Sequence, residues 1–284
     1  MAFGNRKDGR LLKDIDSMHI ICPIIYPNRC DNEAFIYEKF DLTNINAFLK
    51  EKNYEGINYK YNFFQIIVTA MMKVLYLRPK MNYFIANSNM YERYEKTASF
   101  VVKKKFADDG GEGLAFLHTS KDDTLDTIHD KMEKIIYSER KGSNSTNDSM
   151  NLVAKLPRFI VKLIARITMF LEKRGLAPQA FIANDPYYAS VVLTNLGSIK
   201  LHAGYHHLTN WGTNSVFVAV GQIKDREFLN EDGSTSIKPS IDLGLTIDER
   251  LADGYYYSRT IALLKVLLEN PSLLLEPLDK EVDY

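Results

Sequence analysis

Seven residues near the C-terminus, Asp248-Glu249-Arg250-Leu251-Ala252-Asp253-Gly254, constrain this chain more than any other stretch. They stand between a segment, Ile237 to Ile247, that reads as a strand and a segment, Gly254 to Glu269, that reads as a helix. The helix places Tyr257, Ile261, Leu264 and Leu268 on one face, and Asn270-Pro271 ends it. A strand passing directly into an amphipathic helix must bury one face of each, which calls for sheet and helices in packed layers. At 284 residues the chain is long for one domain and short for two, and a single large α+β domain over 1–284 is expected.

The preceding segments agree with that class. Residues 34 to 40 read as a strand, and Asp41 and Thr43 offer caps to a helix from about Asn44 to Lys52. Asn62 to Leu77 is apolar at Phe63, Ile66, Ile67, Ala70 and Val74 and is stopped by Pro79, the pattern of a buried helix. Short strands broken at Asn87-Ser88-Asn89 follow between Met81 and Lys105, then a turn at Asp108 to Gly111 and a strand from Gly113 to His118. Asp122 to Ser138 repeats apolar residues at three and four and reads as a helix. Val191 to Leu193 and Ser215 to Ile223 read as strands, with a turn at Glu231-Asp232-Gly233 before the last strand.

Charge and cysteine usage exclude several classes. With 36 basic and 36 acidic side chains, no excess of cations marks nucleic acid as a partner. Two cysteines, Cys22 and Cys30, make neither a disulfide framework nor a zinc site. The polar N-terminus lacks a signal core and no apolar run is clean enough to span a bilayer, so a cytoplasmic location is expected.

The C-terminal heptad resembles the Asp-His-Arg-x-x-Asp-Gly motif of dihydrolipoamide acyltransferases, the acyl-transferring cores of 2-oxoacid dehydrogenase complexes. It also resembles the His-x-x-x-Asp-Gly motif of chloramphenicol acetyltransferase and other CoA-dependent acyltransferases. Four further segments resemble those cores in the same order: Lys39 to Thr43, Phe63 to Asn82, Thr194-Asn195-Leu196-Gly197-Ser198 with the strand Phe217 to Gly221, and Leu267 to Pro271. The stretch from Asn195 through His206-His207 to Trp211-Gly212-Thr213 is similar to stand-alone bacterial members of the group. The resemblance implies a chloramphenicol-acetyltransferase-like two-layer sandwich, a mixed β-sheet with packed helices, assembled as a homotrimer or a higher assembly. It also implies acyl-CoA as substrate, a thiol or hydroxyl acceptor, and no metal. No lipoyl or subunit-binding domain is read ahead of the core, so no covalent lipoyl group is expected on this chain. Residues 141–185, a polar stretch (Lys141 to Ser149) followed by a basic, apolar helix, look like an insertion.

In those families the motif histidine is the general base and a hydroxyl from the Ser-Asn-Leu-Gly segment holds the oxyanion, the two meeting between subunits. Here Glu249 stands at the histidine position and Thr194 at the hydroxyl position, followed by Asn195. A carboxylate of ordinary acidity lies ~4 pK units below a thiol and deprotonates it poorly. Burial can raise it to a useful value, whereas Arg250 or Arg259 can hold it ionised. His206 or His207 is a replacement for the base, or else a loop histidine bonded to backbone. His202 beside them lacks the acidic or cysteine partner that a metal needs. Asp253 pairs, by resemblance, with an arginine near the N-terminus, for which Arg10 is the candidate, and its plain role is a helix cap. Gly254 is expected to permit close packing beside it. Two functions follow: an acyltransferase with a substituted base, or a catalytically inactive trimeric scaffold or regulatory subunit of the same fold.

The basic helix, Asn151 to Arg174, carries Lys155, Arg158, Lys162 and Arg166 near one stripe, with Pro157 in its first turns. It covers the apolar face of the inserted region, contacts another subunit, or lies on an anionic membrane surface.

Overall fold

The computed structural model describes residues 4–103, 112–140, 155–178, 185–230 and 232–284. The turn expected at Asp108 to Gly111, the polar stretch Lys141 to Ser149 and the first residues expected of the basic helix lie outside them.

The main sheet is built from β2 (Glu33–Asp41), β5 (Lys96–Lys103), β6 (Glu112–Thr119), β7 (Val191–Asn195), β8 (Val216–Val220), β9 (Lys224–Leu229) and β10 (Thr235–Asp248). Its order is β2-β10-β8-β7-β5-β6, with β9 paired to the first half of β10. Strand β7 runs parallel to β5 and β8 while the other pairs are antiparallel, so the sheet is mixed. A small antiparallel sheet of β1 (Gly9–Leu11), β4 (Asn89–Arg93) and β3 (Tyr83–Ala86) stands beside it. Asn87 and Ser88, both at positive φ, turn β3 into β4, as short polar residues at a tight hairpin do.

Helices α2 (Thr43–Lys52), α3 (Phe63–Leu77), α4 (Leu125–Arg140) and, at the C-terminus, α6 (Gly254–Glu269) form the layer on one face. Asn62 and Gln65 close a reciprocal capping box at the start of α3. From Gln65 to Leu75 this helix is buried on every side, so it is the centre of the helical layer rather than a surface element. Leu243, Leu245, Ile247, Val216, Val218, Val191 and Leu193 meet it from the sheet in one continuous core. Because side chains alternate along a strand, Gly244, Thr246, Phe217, Ala219, Val192 and Thr194 occupy the opposite face.

Among the described residues no helix of the layer covers that second face. The chain from 197 to 213 crosses it instead. Close contact is possible because residues at the crossing lack side chains: a Cβ on Gly244 would collide with the carbonyl oxygen of Gly204, and one on Gly221 with the amide of Ala203. Glu33 anchors the crossing by accepting the Leu208 amide, and Arg29 donates to the carbonyls of Thr209 (2.7 Å) and Gly212 (3.0 Å).

Strand β1 and a helix over Ser17–Ile25 precede the first element read in the sequence, and two later elements differ from that reading. Strand β9 was not expected; its charged, alternately exposed residues carry no core pattern, and pairing with β10 alone makes it a strand. The basic helix, α5 (Arg158–Lys173), begins after Pro157, which serves as its N-cap rather than lying inside its first turns. A proline ring there fixes φ at the boundary without removing a helical hydrogen bond. Gly175, with φ +68°, follows the Arg174 cap as a left-handed stop requires.

Candidate active site

The heptad forms a rigid corner. Strand β10 ends at Asp248, a short 3-10 turn spans Glu249–Leu251, and Asp253 caps α6 by accepting the Tyr256 amide at 2.7 Å. Asp248 is fully buried and holds Arg250 through two bonds, Nε to Oδ1 at 2.8 Å and Nη2 to Oδ2 at 2.6 Å. The remaining arm of Arg250 donates to the Tyr26 carbonyl at 2.7 Å. Tyr257 donates its hydroxyl to the Asp248 carbonyl at 2.8 Å, and burial pushes that phenol well above its usual range, so it stays a donor.

Glu249 projects from this corner and is exposed, its amide donating to the Asn32 carbonyl at 3.0 Å. Neither candidate arginine holds it. Arg250 is committed to Asp248, and Arg259 donates to the Tyr284 carbonyl. The remaining expectations at this end sort plainly. Asp253 is a cap, while Arg10 pairs across the small sheet with Glu92 at 2.6 Å. A Cβ on Gly254 would meet no atom within 4 Å, so close packing is not what calls for glycine there. Instead Gly254 lies at an open groove of about 490 Å³ between β2 and α6, shared with Ala34, Ile36, Ser258, Ile261 and Lys265.

His19 was not anticipated at this site. Its Nδ1 lies 3.0 Å from the Arg250 carbonyl and its Nε2 3.4 Å from Asp16, tying α1 (Ser17–Ile25) to the corner. The contact spans 231 residues and a lone histidine in an apolar helix gives no sign of it in the sequence.

Thr194 sits near the end of β7, half-buried, in register with Ala219 of β8, which faces Gly244 of β10. Among the described residues its hydroxyl has no hydrogen-bond partner, so the backbone bond of an ordinary strand threonine is not made. Asn195 accepts the Ser198 amide at 3.2 Å and shapes the turn that follows. His206, on the crossing chain, stacks on Phe217 at 4.2 Å and 5°. Phe217 is in register with Val192, two residues before Thr194 on the same face, which sets His206 above a position ~8 Å from Thr194. The Nδ1 of His206 is 3.1 Å from the His207 carbonyl. A carbonyl only accepts, so Nδ1 is the donor in this contact and Nε2 is left as the nitrogen facing away from it. His207 stacks against His206 at 4.6 Å.

The structure therefore brings Thr194 and His206 to one sheet face and leaves Glu249 apart. From Gly244, level with Thr194, to Asp248 is four residues along the strand, ~13 Å. From β7 to β10 is two strand spacings, ~10 Å. Thr194 is thus ~16 Å from Asp248, the residue before Glu249, so Thr194 and Glu249 of one chain stand beyond any shared hydrogen bond. Among the described residues no three His, Cys, Asp or Glu side chains converge as metal ligands.

Residues 180–276 match the family model of the 2-oxoacid dehydrogenases acyltransferase (catalytic domain). The chain is similar in structure to the dihydrolipoamide acetyltransferase of Azotobacter vinelandii, with a TM-score of 0.62 and 14% identity, covering 93% of this chain and 94% of that one. It is similar to a probable dihydrolipoamide acetyltransferase from Listeria monocytogenes, with a TM-score of 0.59 and 14% identity over 91% and 94% of the two chains. A chloramphenicol acetyltransferase gives a TM-score of 0.55 at 11% identity over 92% and 99%. No curated protein sequence matches the chain. At these identities the structural likeness is one of fold, and the fold is that of the acyltransferase cores.

Proposed function

We propose that this acyltransferase-core fold serves as a CoA-dependent acyltransferase with a substituted base, working as a homotrimer on a thiol or hydroxyl acceptor. One observation carries the reading: Glu249, where the resemblance puts the base, is exposed and held by neither Arg250 nor Arg259. Because Glu249 is exposed in one chain, the burial that would suit it to a base has to come from a second copy covering it. The trimer gains support from α1, whose Met18, Ile21, Ile24 and Ile25 are exposed and await a partner.

In this mechanism a base takes the proton from the acceptor S–H or O–H as the sulfur or oxygen attacks the thioester carbonyl carbon. The Thr194 hydroxyl donates to the oxyanion so formed. Collapse breaks the carbon–sulfur bond, and the departing CoA thiolate recovers the proton from the base. Two groups are available for that proton. Nε2 of His206 shares the sheet face with Thr194, and Glu249 comes within reach only from a second copy of the chain.

The competing reading, an inactive trimeric scaffold or regulatory subunit, draws on the Thr194 hydroxyl, which among the described residues no base of the same chain contacts. Release of CoA from acetyl-CoA in the presence of dihydrolipoamide, followed chromatographically, separates the two. We expect turnover in the native protein and a fall of ~10²–10⁴-fold in kcat with either Glu249→Gln or His206→Asn, whichever residue is the base. Absence of turnover in the native protein together with turnover in Glu249→His assigns the scaffold.

A further inference from the structure

Helix α5 has a polarity that the acyl-transfer site does not use. Phe159, Leu163, Ile164, Ile167 and Phe170 are all exposed, Phe159 at 72%. On a helical wheel they occupy one broad face, while Arg158, Lys162, Arg166 and Lys173 form a stripe along its flank. The side toward the body is short and lies at the C-terminal end. There Arg6 donates to the Glu172 carbonyl at 2.7 Å and to its carboxylate at 2.8 Å, and both side chains are buried. Glu172 is the only carboxylate between residues 155 and 174, against six lysines and arginines. Its engagement with Arg6 leaves the outward surface of α5 purely cationic and apolar.

We infer that α5 lies flat on an anionic lipid bilayer, with Phe159, Leu163, Ile167 and Phe170 inserted among the acyl-chain ends and the flanking cations among the headgroups. The geometry suits this placement and not a span. Sixteen residues extend ~24 Å, short of a ~30 Å hydrocarbon core, and among the described residues no helix is long and apolar enough to cross a membrane. Phenylalanine and leucine backed by a row of lysine and arginine is the composition of an interfacial helix. Charge complementarity selects the occupant. A second copy of the chain would bring its own cations to the contact, and lysine is depleted at protein interfaces. The exposed face of α1, which has no lysine or arginine, lacks that obstacle. The fixed end at Glu172 holds the helix to the body without covering its apolar side.

Vesicle sedimentation of the full chain tests this. Phosphatidylcholine vesicles are compared with vesicles containing 30% phosphatidylglycerol (about a third anionic lipid, enough for a clear surface potential). We expect at least tenfold stronger binding to the anionic vesicles, lost at high salt as screening shortens the charge interaction. Phe159→Ser with Phe170→Ser, and separately Lys162→Glu with Arg166→Glu, each abolish it. These residues are exposed, so the melting temperature stays constant and confirms folded variants. Phe159→Trp supplies a second readout, a blue shift of emission on anionic vesicles alone. Equal binding to both vesicles, no binding, or unchanged binding in both double variants overturns the inference. So does a fall in oligomer mass by light scattering in the phenylalanine variant, which assigns the face to a contact between copies.

Discussion

Arg250 reaches back two residues to clasp the Asp248 carboxylate with both a side-arm nitrogen and Nε, and both side chains are buried. The pair fixes where Glu249, caught between them, must project. Breaking it by Arg250→Met leaves the buried carboxylate with the Arg29 Nε, at 3.8 Å, as its remaining cation, and we expect a loss of about 3 kcal/mol in urea unfolding. Arg250→Lys, which keeps the charge but not the fork, recovers only part of it. A loss under 1 kcal/mol for Arg250→Met would refute the structural role of the pair.

The crossing chain over the second sheet face depends on an absent side chain. Gly244→Ala drives a methyl group into the Gly204 carbonyl, two residues before His206. We expect a destabilisation of about 1–3 kcal/mol, as for other overpacked sites. Displacement of the His206 ring from Phe217 accompanies it, read from the histidine ring signals by NMR.

The capping box of α3 is a local device at the head of the most buried helix. Asn62→Ala removes the acceptor for the Gln65 amide, and we expect a cost of about 1 kcal/mol in chemical denaturation. Asn62→Asp retains an acceptor and falls within a few tenths of the native value.

Acid sensitivity has a defined source in His129. Burial lowers its pKa despite nearby Asp130 and Glu133, and its ring stacks on Tyr61 at 3.8 Å. A depressed folded pKa means the unfolded chain binds the proton more readily. The stabilisation is therefore present above the ordinary histidine value near 6.5 and is lost as pH falls through the folded pKa. His129→Phe keeps a ring on Tyr61 and removes the titration. The drop in melting temperature between neutral pH and mildly acidic pH becomes smaller in that variant; an unchanged drop would rule His129 out as the source.

Much of the scaffold is legible in the sequence because its signals are local. Helix α6 begins at Gly254 and ends at Glu269 as its periodicity and Asn270-Pro271 require, and α3 shows its cap and its terminating proline. Strand β9 is not legible, since Lys224 to Leu229 buries little and owes its conformation to one neighbour. The site is legible residue by residue but not as an arrangement. Thr194 and His206 are twelve positions apart, and only the register of β7 with β8 and the stacking on Phe217 bring them to one face. Arg10 fails as the partner of Asp253 because sheet pairing sets it opposite Glu92, a relation that sequence distance hides. His19 meets the Arg250 carbonyl for the same reason, through tertiary placement of α1.

The ~16 Å between Thr194 and the strand end that carries Glu249, along and across the sheet, turns a question of chemistry into one of stoichiometry. A reaction that employs both groups belongs to the contact between two chains rather than to either chain. Loss of either residue is then a recessive defect at the level of the assembly. On the proposed reading, mixing chains that lack Thr194 with chains that lack Glu249 is expected to restore an intact site wherever the sound halves of two different chains face each other.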